Sequence, residues 1–328
     1  MTNLLKNQII IDGLEYCNWN RELLENLWKG GITAVHVTLV YWENTEESFK
    51  KIFEIEKLIE NNQDIVCHAK TTEDILNAKQ DKKVAFIFGF QNSAPIVNNI
   101  FLLEKFFNKG LRFMQLTYNN QTPLAGGCFE SKDSGVSRFG KEVIEEMNRL
   151  GVIIDLSHAG KISCLDAIEF SSKPVAISHA NPSFFHKSLR NIDNDVLTKL
   201  VNKNGFIGLS LYPYHLKNSG NCKIDEFCQM IKELINLIGS DNIGIGSDLC
   251  LNWPDEVVMW MRNGNWTKKT DYGESQDKNI KWPRQPEWYK KPSDINNLFI
   301  AMCENGINEK NATKIMGMNW FNFMKIHF

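Results

Sequence analysis

The sequence predicts a single (β/α)8 barrel, and three observations carry that expectation. Eight short runs rich in β-branched residues recur along the 328 residues, and longer amphipathic stretches separate them. That alternation is the mark of βαβ units and a parallel sheet. No repeat, low-complexity tract or linker divides the chain, so 1–328 reads as one domain, a length such a barrel routinely uses.

The strand runs are Ile9–Gly13, Thr33–Val40, Val84–Phe90, Arg112–Tyr118, Val152–Ser157, Val175–Ser178, Gly205–Leu211 and Ile243–Ser247. Several are continuously apolar, such as Val84-Ala85-Phe86-Ile87-Phe88, as strands covered on both faces should be. Helical patterns lie at Glu46–Glu60, Thr72–Lys79, Ile96–Asn108, Lys141–Leu150, Ile162–Phe170, Asp193–Val201 and Ile224–Ile238. Steps such as Lys109-Gly110 and Leu150-Gly151 fall where a helix should stop before the next strand. Residues 250–292 break the rhythm, with Trp253, Trp260, Trp266, Trp282, Trp288 and four prolines. A connection of that length is expected to be a lid or pocket wall, or an interface in a homodimer.

Bulk properties narrow the function. Apolar residues make up 43% and charged residues 23%, and the net charge is −2, which gives no electrostatic case for nucleic acid or anionic membranes as partners. No apolar stretch is long enough to span a bilayer, and the opening residues show no secretory pattern, so a cytoplasmic enzyme acting on a small molecule is the expectation. The eight cysteines (17, 67, 128, 164, 222, 228, 250 and 303) lack a CxxC pair and read as reduced thiols.

In such a barrel the residue ending each strand faces the loops that form the active site. Those ends read Leu14, Tyr41, Gln91, Tyr118, His158, His179, Tyr212 and Asp248. Two imidazoles on adjacent strands can share a metal, and a carboxylate on the closing strand can act as general base or ligand. A lone histidine ending a strand is more often a packing residue; the paired arrangement reverses that weighting. His36, inside a strand, reads as a satisfied core histidine, and His68, His186, His215 and His327 as loop or surface residues.

These residues resemble the membrane (renal) dipeptidase family, metallopeptidases on an amidohydrolase-like barrel. The likeness runs through Ile10-Ile11-Asp12-Gly13, the stretch from Phe139 to His158, Ser178-His179, Arg190-Asn191, Gly246-Ser247-Asp248 and Gly317-Met318-Asn319-Trp320. The resemblance implies a dinuclear zinc centre, with His158 and His179 as second-metal ligands, Asp248 as the acid-base group and Arg190 as the arginine that holds the substrate carboxylate. The chain departs from it at one place. Where the family has His-x-Asp, this chain has Leu14-Glu15-Tyr16; the bridging Glu is replaced by Gln91, and the strand-four His by Tyr118. Leucine cannot ligate, and neutral glutamine brings no charge to bridge two dications. One zinc at most is therefore expected, with no metal as the alternative. Glu15 reaches the site only if the first strand slips by one residue.

Two functions follow. The first is a hydrolase of a small amide, a dipeptide or an N-acyl amino acid. The alternative is a metal-independent enzyme or binding protein for an amino-acid-like or N-methylated amine, with Tyr16, Tyr118, Gln91, Tyr212 and the tryptophans as pocket walls.

Overall fold

The computed structural model describes residues 7–96, 99–264 and 281–328. Its strands are β1 (Ile11–Cys17), β2 (Ala34–Val40), β3 (Val66–His68), β4 (Val84–Phe90), β5 (Leu111–Gln115), β6 (Ile153–Asp155), β7 (Ala176–Ala180), β8 (Phe206–Leu209), β9 (Ile243–Ile245) and β10 (Leu249–Leu251). Eight of them form a closed parallel ring, in the order β1-β2-β4-β5-β6-β7-β8-β9. The ring closes where Asp12 of β1 pairs with Ile245 of β9. Short β10 continues the seam beside the upper half of β1, with Glu15 opposite Leu249, and β3 flanks β4 outside the ring.

The helices are α1 (Arg21–Gly30), α2 (Thr45–Glu60), α3 (Thr72–Gln80), α4 (Phe101–Asn108), α5 (Arg138–Leu150), α6 (Lys161–Phe170), α7 (Asn194–Asn202), α8 (Ile224–Ile238), α9 (Asp255–Asn263), α10 (Ile295–Glu304), α11 (Glu309–Thr313) and α12 (Asn319–Met324). Local chemistry sets their ends. In α5 the Ser137 side chain accepts the Gly140 N–H, and Gly151 stops the helix in the left-handed region at φ 89°. Val143, Ile144 and Met147 then face the ring.

The lower half of the barrel is filled. Trp320 is fully buried and lies 4.1 Å from the Phe206 ring, and its Nε1–H donates to the Ile245 carbonyl at 2.7 Å. Gly13 makes this plug possible, since a Cβ there would fall 2.5 Å from the indole. With the floor packed, the barrel interior leaves room for a ligand at the carboxyl ends of the strands.

Several local expectations need correction. β1 does not end at Gly13 but runs on to Cys17, so Leu14 is buried mid-strand. A register shift between Asp12 and Glu15 lets it do so. Helix α1 was not anticipated, although Asn20 caps it and Gly31 ends it at φ 75°. The Ile96–Asn108 pattern is a 3-10 turn at Ala94–Ile96 followed by α4. His215 is not a surface residue: it is 1% exposed, with Nδ1 2.7 Å from Ser210 Oγ. His68 ends β3 and stacks on Phe88 at 3.8 Å. Part of the long excursion, Trp266 included, lies outside the described residues; the rest forms β10, α9 and the return from Lys281.

Candidate active site

β6 and β7 deliver the two imidazoles side by side. His158 follows β6 after Leu156 and Ser157, on a left-handed backbone at φ 68°, while His179 lies within β7. Their Nε2 atoms are 3.0 Å apart, and both side chains are buried. Burial, followed by the nearby Arg190 guanidinium, holds both imidazoles well below the ordinary histidine range, so both are neutral at pH 7. Neutral imidazole is the ligating form.

The other ring nitrogens are tied down. His158 Nδ1 is 2.5 Å from Asn119 Oδ1, which also accepts the Cys128 thiol at 3.6 Å. His179 Nδ1 is 2.7 Å from Ser178 Oγ, whose hydroxyl donates to Asp155 Oδ2 at 2.5 Å. Asp155 takes further bonds from the backbone N–H groups of Ser157 and Ser178 and from Gln115 Nε2. That buried carboxylate is thus fully hydrogen-bonded, as a charge in this environment must be.

Asp248 sits between β9 and β10 at φ 55°, its N–H bonded to the Leu14 carbonyl at 2.9 Å. His158, Asn119 and Asp248, all left-handed without being glycine, line one cleft. Such backbone strain gathers at functional sites, because the surrounding fold must hold it in place. The same cleft is lined by Gln91, Tyr118 and Tyr212, and its outer wall by Met261, Arg262, Lys281 and Trp282. That wall is pinned at two points: Trp42 Nε1–H donates to the Met261 carbonyl at 3.1 Å, and Trp282 Nε1–H to that of Pro254 at 3.2 Å.

The structure therefore brings together His158, His179, Asp248, Gln91, Tyr118 and Tyr212. Three expected site residues lie apart from the cleft lining: His179, fully buried behind His158, and Tyr16 and Arg190. Tyr16 stacks on Trp253 at 4.8 Å and meets Tyr41 edge-on at 4.6 Å. Arg190 is buried behind His179, where its Nη2 donates to the His179 carbonyl at 3.1 Å.

The donor set does not fit a metal pair. Leu14 offers no ligand, burial keeps the Tyr16 phenol protonated, and Gln91, whose Nε2 donates to Thr38 Oγ1 and the Tyr41 hydroxyl at 2.8 Å, could bring only a neutral amide oxygen. Glu15 follows a register shift in β1 after Asp12 and is fully buried, its Oε2 accepting the Cys17 thiol at 3.7 Å. Around Gln91 the rings of Tyr16, Tyr41, Trp42 and Tyr118 pack into one buried aromatic cluster. One metal is a different matter. Two nitrogens bound to a tetrahedral zinc sit about 3.3 Å apart, within a few tenths of an ångström of the separation seen here. Among the described residues no group of three or more His, Cys, Asp or Glu side chains is placed to share an ion. The two imidazoles are thus the ligands that a single ion would have here, one short of the three protein ligands usual for a catalytic zinc.

Sequence reading missed Asn119, Ser178, Asp155, Arg262 and Lys281. Asp155 and Ser178 carried a signal, because each imidazole is preceded by a serine and the first also by an aspartate. Arg262 and Lys281 carried none, since they reach the cleft only through the fold of the excursion.

This ring of strands, with its polar groups gathered at the carboxyl ends, defines a (β/α)8 barrel with an enzyme-like site. The model of the membrane dipeptidase family (peptidase family M19) matches residues 20–255, and the chain belongs to that family. Its relatives include dipeptidase tcpJ of Claviceps purpurea, 25% identical over 283 residues that cover 85% of this chain and 60% of that protein. Against that relative and dipeptidase 3 of Mus musculus the chain spans 60% and 36% of their lengths. The crystal structure of an amidohydrolase from Pseudomonas aeruginosa superposes with a TM-score of 0.92 at 33% identity, covering 98% of this chain and 97% of that one. A metallo peptidase from Rhodobacter sphaeroides, liganded with a phosphinate mimic of the dipeptide L-Ala-D-Ala, matches in fold with a TM-score of 0.80 at 16% identity, covering 98% and 100% of the two chains.

Proposed function

We propose that the chain hydrolyses a small amide that carries a carboxylate, a dipeptide or an N-acyl amino acid, with one divalent metal at most. The observation that carries this reading is the convergence of two neutral imidazole Nε2 atoms 3.0 Å apart beside a cleft that also holds Asp248. His158 and His179 would hold the ion, which when bound lowers the pKa of a coordinated water toward ~7.

The chain's own residues supply the rest. Asp248, which lines the cleft, would accept a proton from the attacking water and return it to the leaving amine. Arg262 and Lys281 give the outer wall positive charge suited to a substrate carboxylate. Arg190, committed to the His179 carbonyl, acts on this reading mainly by holding that strand end. The test is metal analysis of protein purified without chelator, together with turnover on a panel of dipeptides and N-acyl amino acids. Negligible transition metal, no rescue by added zinc and no turnover would sink the proposal.

A second reading has one specific observation behind it. The mouth is lined by aromatic rings in edge and stacked contact, including Tyr41 against Tyr118 at 4.9 Å and Trp42 against Tyr118 at 5.3 Å. Such a box suits an N-methylated amine bound without a metal. Arg262 and Lys281 in the same wall disfavour a cationic ligand, so the amide reading stands first. A thermal-shift screen with methylated amines separates the two; stabilisation by these and not by N-acyl amino acids would reverse the order.

A further inference from the structure

We propose that Asn119 and the Ser178–Asp155 pair are positioning residues that lock both imidazoles in the Nδ1–H form, so that two Nε2 lone pairs converge on one point. The inference rests on the single-metal reading and says why this particular pair suits a cation.

The argument is one of hydrogen-bond bookkeeping. Ser178 Oγ lies 2.5 Å from a carboxylate that already accepts three other donors, so its only proton goes to Asp155. The hydroxyl oxygen can then only accept from His179, which places that proton on Nδ1. On the other ring, Asn119 Oδ1 faces Nδ1 and also receives the Cys128 thiol, so the amide presents its oxygen and His158 donates from Nδ1. Each ring therefore carries its proton on the side away from its neighbour. Two bare lone pairs 3.0 Å apart repel unless something positive lies between them. A neutral pair built for a direct N–H···N bond would need one ring in the opposite tautomer, at the cost of one of these two outer bonds.

A backbone feature supports the design. His158 and Asn119 are both held in left-handed conformations, at φ 68° and 59°. The strain of two such residues is sustained where their side chains meet, which is expected when the contact itself is under structural control. Outer hydrogen bonds of this kind orient ligating imidazoles and raise their basicity, and their loss costs roughly 10- to 100-fold in metal affinity.

The experiment measures zinc binding by competition with a chromogenic chelator, alongside histidine nitrogen NMR of the zinc-free protein. Ser178→Ala and Asn119→Leu should each weaken zinc roughly 10-fold or more. Ser178→Thr and Asn119→Asp, which keep the accepting oxygen, should stay close to the parent. Circular dichroism establishes that each variant is folded. Equal zinc affinity across all folded variants would overturn the proposal. If the parent binds no zinc, the metal reading fails by itself, and the spectra alone decide the lock. Both rings protonated at Nδ1 would uphold it, whereas one ring protonated at Nε2 would overturn it.

Discussion

Asp12 Oδ1 accepts the backbone N–H of Ser247 at 2.7 Å, across the seam where β9 meets β1. The same oxygen accepts the Leu14 N–H at 3.2 Å, and the Leu14 carbonyl in turn receives the Asp248 N–H. A buried carboxylate thus closes the barrel and sets the turn that presents Asp248 to the cleft.

Asp12→Ala leaves two buried N–H groups without this acceptor, at about 1–3 kcal/mol each. Urea unfolding should show a loss of about 2–6 kcal/mol, and activity should fall with it, because Asp248 is one residue from the broken bond. Asp12→Asn keeps an oxygen in place and should lose clearly less. Equal destabilisation by the two substitutions would refute the anchoring role.

Asp248→Asn preserves shape and removes the proton acceptor. On the best substrate of the amide panel, kcat should drop about 10²- to 10⁴-fold, with KM and bound metal little changed. A variant retaining more than a tenth of the parent's kcat would show that another group moves the proton.

Glu15 is fully buried beside Asp12, and burial, reinforced by that neighbouring charge, pushes its carboxyl well above the ordinary glutamate range. Its folded pKa therefore exceeds its unfolded value, which is 4.5 for the unperturbed group. Above that pH the unfolded chain releases a proton that the folded one retains. Stability consequently falls as pH rises through the window, by about 1.4 kcal/mol per pH unit while the buried group stays protonated. Below pH 4.5 this contribution vanishes. Asp12 is shifted in the same direction, again chiefly by burial. Glu15→Gln removes one of the two slopes, so its stability advantage over the parent should widen from pH 5 to pH 7. Parallel unfolding free energies across that range would contradict a protonated Glu15.

Much of this was legible in the sequence, for identifiable reasons. The barrel could be read because continuously apolar runs such as Val84–Phe90 have few other uses, and His158 and His179 because two adjacent strands each end on an imidazole. Asp248 was legible as a strand-end carboxylate, although the strand it ends is broken into β9 and β10. The path of β1 was not readable. The register shift between Asp12 and Glu15 depends on pairing with β2 and β9, contacts that no local pattern encodes. His215 looked like a loop residue because its burial depends on distant parts of the chain, with Asn181 and Asn191 donating to its carbonyl. The outer wall was hidden for the same reason: Arg262 reaches the cleft because Trp42, far away in the chain, holds the Met261 carbonyl.

The strand interior offers a sharper test of that packing. His36 donates from Nδ1 to the Gly13 carbonyl at 2.7 Å and stacks on Phe113 at 4.2 Å, so its ring is fixed from two sides. A Cβ at Gly89 would lie 1.7 Å from His36 Nε2, far inside contact distance. Gly89→Ala must therefore displace a ring that has nowhere to go, and should cost about 1–3 kcal/mol or more by overpacking. His36→Ala alone should also destabilise, through the cavity it opens. Combined, the two changes should be less damaging than their sum, because the new methyl enters the vacated volume. A double-mutant cycle of urea unfolding free energies measures this, with an expected coupling of about 0.5–3 kcal/mol in favour of the pair. Strict additivity would mean that the glycine is required by its backbone alone and not by the imidazole beside it.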